Sequence, residues 1–421
     1  MRETKLNYIY KCSSCLKEFE AKEIEAYFSY LCPNCGEAEK NKPLIGVLTV
    51  EYDYIDLKKK LSKEDFFKLT PGKFWLYPDL WSIDFQNFSD DQLKKLSLPS
   101  DQLLKYTIDG KDLWLLDDTR NPTLSYKDRA SSLVALKALQ LGINEIAAAS
   151  TGNAGSSIAG ICARLGMITH IFVPSTIPDS KRIQIQSFGA NLFMVDGSYD
   201  DAFDLCLEVS TAKNWYNRNT AYNPLTVEGK KSAAFDIFIA TKGNVPDKIF
   251  VPVGDGVIIS GIYKGFTEIL KLGWIEKLPQ LIAVQSTGSD ALVRFLECGI
   301  FNFKCAHTAA DSISAGAPRN LYMAVNSVKN TNGKAIAVTD DEIFAAQKII
   351  AKKFGILSEP SSAASLAGYI KMDDLGEIGK REKVLLLITG NGLKDISALD
   401  KWNNKPGAKT TSQWKESFGL K

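Results

Sequence analysis

At 421 residues the chain is long enough for two or three domains around substantial cores. An apolar share of 45% and a charged share of 24% suit a soluble globular protein, and a formal net charge of +2 excludes bulk attraction to nucleic acid or a membrane surface. Eight cysteines are too few for a disulfide scaffold, and the polar start Met1-Arg-Glu-Thr-Lys-Leu-Asn-Tyr8 reads as neither leader nor membrane span, so a reducing cytoplasm is the expected location.

The first predicted unit is residues 1–45. It holds Cys12-Ser-Ser-Cys15 and Cys32-Pro-Asn-Cys35-Gly36, two C-x-x-C pairs separated by the sixteen residues Leu16 to Leu31. That spacing matches a four-thiolate zinc ribbon, in which each pair sets two sulfurs on one tight knuckle and Gly36 eases the backbone turn. A ribbon that packs without metal is the bland alternative. A nucleic-acid role is weaker still, because the intervening loop is acidic.

Residues 46–105 are rich in aromatics (Phe66, Phe67, Phe74, Trp75, Tyr77, Trp81) without a clear period, and read as an extension laid on the body. From Trp114 to Gly392 short β-branched runs alternate with helical stretches. Predicted strands are 145–149, 170–173, 192–195, 248–253, 281–284 and 383–388, with helices over 154–165, 180–188 and 199–212. Thr339 with Glu342 makes a capping box opening a helix to about Lys353. Such alternation predicts parallel sheets covered on both faces. The expected units are 106–222, holding the segments around Lys127 and Asn153, and a larger 223–400, holding the glycine loop at 254–256, followed by a loosely held polar tail 401–421.

Four segments carry chemistry. In Asn121-Pro-Thr-Leu-Ser-Tyr-Lys127-Asp-Arg129 a lysine stands at a helix start, where the positive end field favours the free amine that Schiff-base chemistry needs. Ala149-Ser-Thr-Gly-Asn-Ala-Gly155 and Val253-Gly-Asp-Gly-Val-Ile-Ile-Ser-Gly261 both lie between a strand and a helix, where exposed amides suit a phosphate or carboxylate. Leu387-Ile-Thr389-Gly-Asn-Gly392 ends a strand in a hydroxyl between apolar and glycine residues. Each has an ordinary reading too: a solvated lysine, a capped βα turn, a lone glycine turn.

Taken together and in this order, the segments resemble the fold-type-II pyridoxal-phosphate (PLP) enzymes, specifically the threonine synthases. The family's Asn-Pro-Thr-Gly-Ser-Phe-Lys-Asp-Arg stands here with Leu124 and Tyr126 substituted, and Ser-Thr-Gly-Asn is intact at 150–153. Asn223-Pro-Leu-Thr-Val-Glu-Gly-Lys-Lys231, Glu359-Pro-Ser-Ser-Ala-Ala-Ser365 and Thr389-Gly-Asn-Gly-Leu-Lys-Asp395 match further family segments.

The resemblance implies an α/β fold of the tryptophan-synthase-β type: two parallel-sheet domains plus an N-terminal zinc-ribbon-like extension with Cys12, Cys15, Cys32 and Cys35 as metal ligands. It implies PLP on Lys127 as a Schiff base, with the same lysine moving protons at the substrate. Asn153 would hydrogen-bond the ring hydroxyl, Gly254, Asp255, Gly256, Val257 and Ile258 would hold the cofactor phosphate, and Thr389 would face the pyridine nitrogen. Ser150, Thr151, Gly152, Asn153 and Ala154 would clamp the substrate carboxylate. The implied reaction is O-phosphohomoserine and water to threonine and phosphate, in a homodimer acting on a small amino acid.

The match departs at the substrate phosphate. The family's residues there are replaced, by spacing, with Thr220, Ala221, Thr226 and Asp255. Losing charge-assisted contacts costs roughly 1.5–3 kcal/mol each. Arg218, Lys230, Lys231 and Arg319 are the available compensating cations. A paralogue acting on another amino acid, dehydratase-like or cysteate-synthase-like, therefore stands beside the threonine-synthase reading. A zinc-ribbon binding protein on an inactive scaffold is the alternative of a different class.

Overall fold

Strand β1 (Tyr8–Cys12) pairs antiparallel with β2 (Glu18–Glu20) and with β3 (Leu48–Tyr52), Tyr10 standing opposite Val50. Alternation turns Tyr8, Tyr10 and Cys12 to the buried side of this N-terminal sheet. The structure, a computed structural model, describes residues 7–26, 28–108, 110–150, 152–403 and 405–420.

Residues 54–100 form only short helices and turns, as their lack of period leads one to expect. Phe66 and Tyr77 pack against Phe235 with tilted rings, Phe66 also meets Trp274, and Phe74 and Tyr77 meet Trp81. The extension thus packs its aromatics into the main core.

Strands β4 (Leu103–Ile108) and β5 (Lys111–Asp117) pair antiparallel and open the larger sheet. The chain then leaves it to build a smaller sheet from β6 (Glu145–Ala149), β7 (Ile168–Pro174), β8 (Asn191–Val195) and β9 (Tyr216–Asn217). It returns with β10 (Lys248–Pro252), β11 (Gln280–Ser286), β12 (Lys334–Val338) and β13 (Val384–Ile388). The orders are β12-β11-β10-β13-β5-β4 and β8-β7-β6-β9, all parallel except β4 with β5.

Strands β10 (KIFVP) and β13 (VLLLI) are buried along their length, as parallel strands covered on both faces require. The Thr339–Glu342 capping box is present and opens the helix Asp340–Phe354. The last helix, Thr411–Ser417, is exposed throughout. No helix among the described residues is long and apolar enough to cross a membrane.

What this topology does for a site is simple. Strands β5, β6, β10 and β13 run into the same cleft, and each of the four chemical segments follows the carboxyl end of one of them. In open α/β sheets that end is where ligands bind.

Candidate active site

The segment after β5 is held by buried side-chain bonds. Asn121 donates to the Ser125 carbonyl (3.1 Å) and accepts from Gln102 (2.7 Å). Asp128 turns back to the Thr123 amide (2.7 Å) and accepts from Ser157 (2.6 Å). Arg129 grips both oxygens of Asp118 (2.7 and 2.9 Å) and also pairs with Asp236. Between these anchors Tyr126 donates its amide to the Thr389 carbonyl (2.8 Å) and its hydroxyl to the Lys230 carbonyl (2.9 Å).

Lys127 is therefore fixed from both sides. It sits half-buried at the N-cap of the helix Asp128–Gln140 and lines a cavity of about 780 Å³. Burial pushes its ammonium pKa down to about 8; Glu359 and Asp255 oppose the shift, while Arg218 and Lys181 add to it.

After β6, Ser150 accepts from the Gly152 amide (3.1 Å), and the helix Asn153–Leu165 starts without a side-chain cap. Its first amides are open to an anion. A Cβ on Gly152 would lie 2.9 Å from the Cδ and Nζ of Lys181, which pairs with Asp311, so a larger residue there would displace that lysine. Ser150, Gly152, Asn153 and Ala154 all line the cavity. Thr151 lies outside the described residues.

Asn153 donates to Glu359 (2.8 Å) and Ser312 (3.1 Å), leaving its Oδ1 buried without a partner. Glu359, the first residue of the Glu359–Ser365 segment, thus becomes a site residue. It is buried and precedes a Pro-initiated helix, Pro360–Asp374.

After β10, Gly256 adopts φ +86° and caps the helix Val257–Lys271, again with no side-chain cap. A Cβ on Gly254 would come within 2.9 Å of the Ile313 Cα, and one on Gly256 within 2.7 Å of Ala324. Only glycine fits this turn. Asp255 accepts from the Arg319 amide (3.1 Å). Burial raises its carboxyl pKa against the influence of that amide and of Lys127, Lys230 and Arg218. After β13, Thr389 is buried on the cavity wall with its hydroxyl 3.2 Å from that of Ser362.

Two of the substituted positions leave the site altogether. The Thr226 hydroxyl accepts from the Ala221 amide (3.1 Å) and donates to the Asn223 carbonyl (2.7 Å), closing the loop on itself. Of the compensating cations, Lys231 is bound by Glu228, Glu268 and the Leu80 carbonyl, and Arg319 by Asp200 and the Glu39 and Lys42 carbonyls. Thr220 and Lys230 line the cavity, with Arg218 behind Thr220.

The cysteines come together. All four sulfurs lie within 4.8 Å of one another, Cys12–Cys35 at 3.5 Å and Cys15–Cys32 at 3.7 Å. A tetrahedron with bonds of about 2.3 Å has edges of roughly 3.8 Å. The amides of Ser14 and Cys15 point at Cys12 Sγ, and that of Asn34 at Cys32 Sγ. Gly36 is required by contact rather than by an unusual φ: a Cβ there would sit 2.6 Å from the Cys32 carbonyl oxygen. The set fits a metal ion.

Comparison with known proteins decides what the cleft belongs to. Residues 99–390 match the family model described as "Pyridoxal-phosphate dependent enzyme". The chain belongs to this family. Within it, the chain is 33% identical to the threonine synthase of Methanocaldococcus jannaschii, over 94% of this chain and 95% of that protein. It is 34% identical to the threonine synthase of Methanosarcina acetivorans, over 92% of each. Among solved structures, threonine deaminase isoform 2 of Solanum lycopersicum aligns at a TM-score of 0.59 and 20% identity, covering 69% of this chain and 78% of that one. Maize serine racemase aligns at 0.59 and 18%, covering 75% and 92%. These likenesses carry the fold-type-II architecture.

The residues present fit the cofactor of this PLP enzyme. An amine that loses its proton easily, a glycine turn at an uncapped helix start, and an orphaned buried amide oxygen face one cavity. PLP can take them as a covalent anchor, a phosphate cradle and a partner for a ring substituent.

Proposed function

We propose that the protein converts O-phosphohomoserine and water to threonine and inorganic phosphate. The observation that carries this reading is Lys127, a lysine with its pKa lowered to about 8 that lines one cavity together with Ser150, Gly152 and Asn153. Near-full-length identity to two threonine synthases supports the choice of reaction.

Bound PLP supplies an electron sink for elimination and replacement at amino-acid carbons. The protein's residues do the rest. Lys127 would anchor the cofactor and afterwards, as a free amine, take and return protons at the substrate carbons. The amides of Gly254 to Ile258 would bind the cofactor phosphate and Asn153 its ring hydroxyl. Thr389, a neutral hydroxyl, would meet the pyridine nitrogen without forcing it to be protonated. Ser150, Thr151, Gly152, Asn153 and Ala154 would orient the α-carboxylate, with the uncapped start of the helix Asn153–Leu165 as the anion-facing end. Cys12, Cys15, Cys32 and Cys35 would hold one structural Zn²⁺.

The test is phosphate release from O-phosphohomoserine, run beside 2-oxobutyrate release from threonine. Phosphate release is expected to dominate. Dominant 2-oxobutyrate release would instead favour a dehydratase-like paralogue, the reading suggested by Asp255 in the cavity wall.

A further inference from the structure

Two buried lysines brace the Ser150–Ala154 turn from behind. Lys181 lies in the first turn of the helix Asp179–Ser187 and is 2% exposed. Its side chain runs under Gly152, where a Cβ would lie 2.9 Å from both its Cδ and its Nζ. Lys394, also buried, donates to the Ser156 hydroxyl (2.9 Å) and to Gln184 (2.8 Å), while Ser180 donates to the Lys394 carbonyl (2.7 Å). These bonds fix the helices Asn153–Leu165 and Asp179–Ser187 to each other, so closely that a Cβ on Gly155 would meet Ile185 at 3.3 Å.

The counterion of Lys181 comes from across the cleft. Among the described residues its one ion-pair partner is Asp311, in the short turn Asp311–Ile313 between β11 and β12 of the larger sheet. Asp311 keeps 38% of its side chain exposed and lines the cavity, and its neighbour Ser312 accepts from Asn153 (3.1 Å). Burial opposes the Lys181 charge, but Asp311, Glu359 and Asp395 outweigh it and raise the pKa, so the ammonium persists at neutral pH. Removing one member of a buried ion pair leaves the other uncompensated. This pair therefore needs both units together. Neither residue lies in the motifs that carry the family resemblance.

We infer that Lys181 and Asp311 form an ion-pair latch across the cleft that positions the Ser150–Ala154 turn for a ligand carboxylate. Both are positioning residues. Lys181 lies beneath Gly152 and acts through it, keeping the turn in place and setting a fixed positive charge behind it. Asp311 holds Lys181 there and, through it, holds the smaller sheet's unit against the larger. The inference rests on the reading of that turn as the carboxylate site, and not on the identity of the substrate's side chain.

The test uses PLP-loaded enzyme titrated with L-threonine and with L-threoninamide, which lacks the carboxylate, and read from the cofactor's visible spectrum. Lys181→Met is expected to weaken threonine about tenfold or more while moving threoninamide less than about threefold, and Lys181→Arg to recover threonine to within about threefold. Asp311→Asn should weaken threonine several-fold, and the double variant should bind no more weakly than Lys181→Met alone, because both changes break one contact. Unchanged threonine affinity in Lys181→Met overturns the inference. Equal weakening of threonine and threoninamide also overturns it, as the mark of a merely structural role, and additive losses in the double variant overturn the pairing. If Lys181→Met does not hold cofactor, Asp311→Asn must by itself weaken threonine about threefold more than threoninamide for the inference to stand. Lys181-dependent threonine binding without phosphate release from O-phosphohomoserine would sustain the latch and sink the proposed reaction. Phosphate release with threonine binding indifferent to Lys181 would do the reverse.

Discussion

The Asn153 amide and the Glu359 carboxylate meet at 2.8 Å, joining the helix that follows β6 of the smaller sheet to the segment just before β13's covering helix Pro360–Asp374. The bond spends the Asn153 nitrogen and turns its unpaired oxygen elsewhere in the site. The Glu359 charge also opposes the lowering of the Lys127 pKa. Replacing it by glutamine in Glu359→Gln keeps an acceptor for Asn153 but removes that charge. The Lys127 pKa should then fall further, moving the pH midpoint for PLP loading of apoprotein to lower pH. A midpoint that stays put would count against the coupling.

Lys127 itself sets two pH expectations. PLP loading requires the free amine, so its rate should climb with pH and level off above about 8, well below an ordinary lysine. The folded-state pKa lies below the unfolded one, so the unfolded apoprotein binds more protons between about 8 and the ordinary lysine value. Apoprotein stability should therefore rise with pH across that window. Lys127→Ala should abolish the cofactor's visible band and remove that contribution to the slope. Borohydride trapping of cofactor on a different lysine would refute the assignment.

Asp255→Asn keeps an acceptor for the Arg319 amide and replaces the carboxyl group on the cavity wall by an amide. Under the proposed reaction, kcat/KM for O-phosphohomoserine should stay equal or rise. A fall of about tenfold, equivalent to ~1.4 kcal/mol of transition-state stabilisation, would show that the carboxylate binds the true substrate.

Elemental analysis should find about one zinc per chain, lost in a Cys32→Ser, Cys35→Ser double variant. The consequence should reach the active site. Lys40 and Asn41 line the cavity, and Arg319 ties the Glu39 and Lys42 carbonyls to the segment that holds Asp255. The double variant should keep its cofactor band and show a raised KM. Zinc retained in the variant would reject these ligands.

Gly256→Ala places a methyl in a left-handed turn and 2.7 Å from Ala324. The backbone term alone costs about 1–2 kcal/mol. Thermal unfolding of the loaded enzyme should drop by several degrees, with weaker PLP retention in dialysis. Unchanged retention would place the cofactor phosphate away from this turn.

Much was readable in the chain alone because it depends on local chemistry. Alternating strand and helix periods, the Thr339–Glu342 capping box, the two C-x-x-C pairs and the motifs around Lys127, Asn153, Gly254 and Thr389 are each contained within a few residues. Strand limits shifted by only a residue or two, as between the expected 192–195 and the observed Asn191–Val195. What escaped was non-local. The pairing of β3 with β1 and of β5 with β13 depends on partners far along the chain.

The same distinction divides the site. Residue type and spacing in the sequence determined the alternating strands and helices, the lysine and the glycine turns, and the resemblance of those motifs implied the fold-type-II architecture. Only the tertiary structure decided which charges are spent and which are free. Lys230 and Lys231 are neighbours of identical type, yet Lys231 is bound by Glu228 and Glu268 while Lys230 lines the cavity without an ion pair among the described residues. Adjacent helical residues point about 100° apart, so their environments come from different packed elements. Sequence spacing cannot name those elements. The fold does, and in this protein it also draws Glu359, Arg218 and the loop Lys40–Asn41 into or beside one cavity.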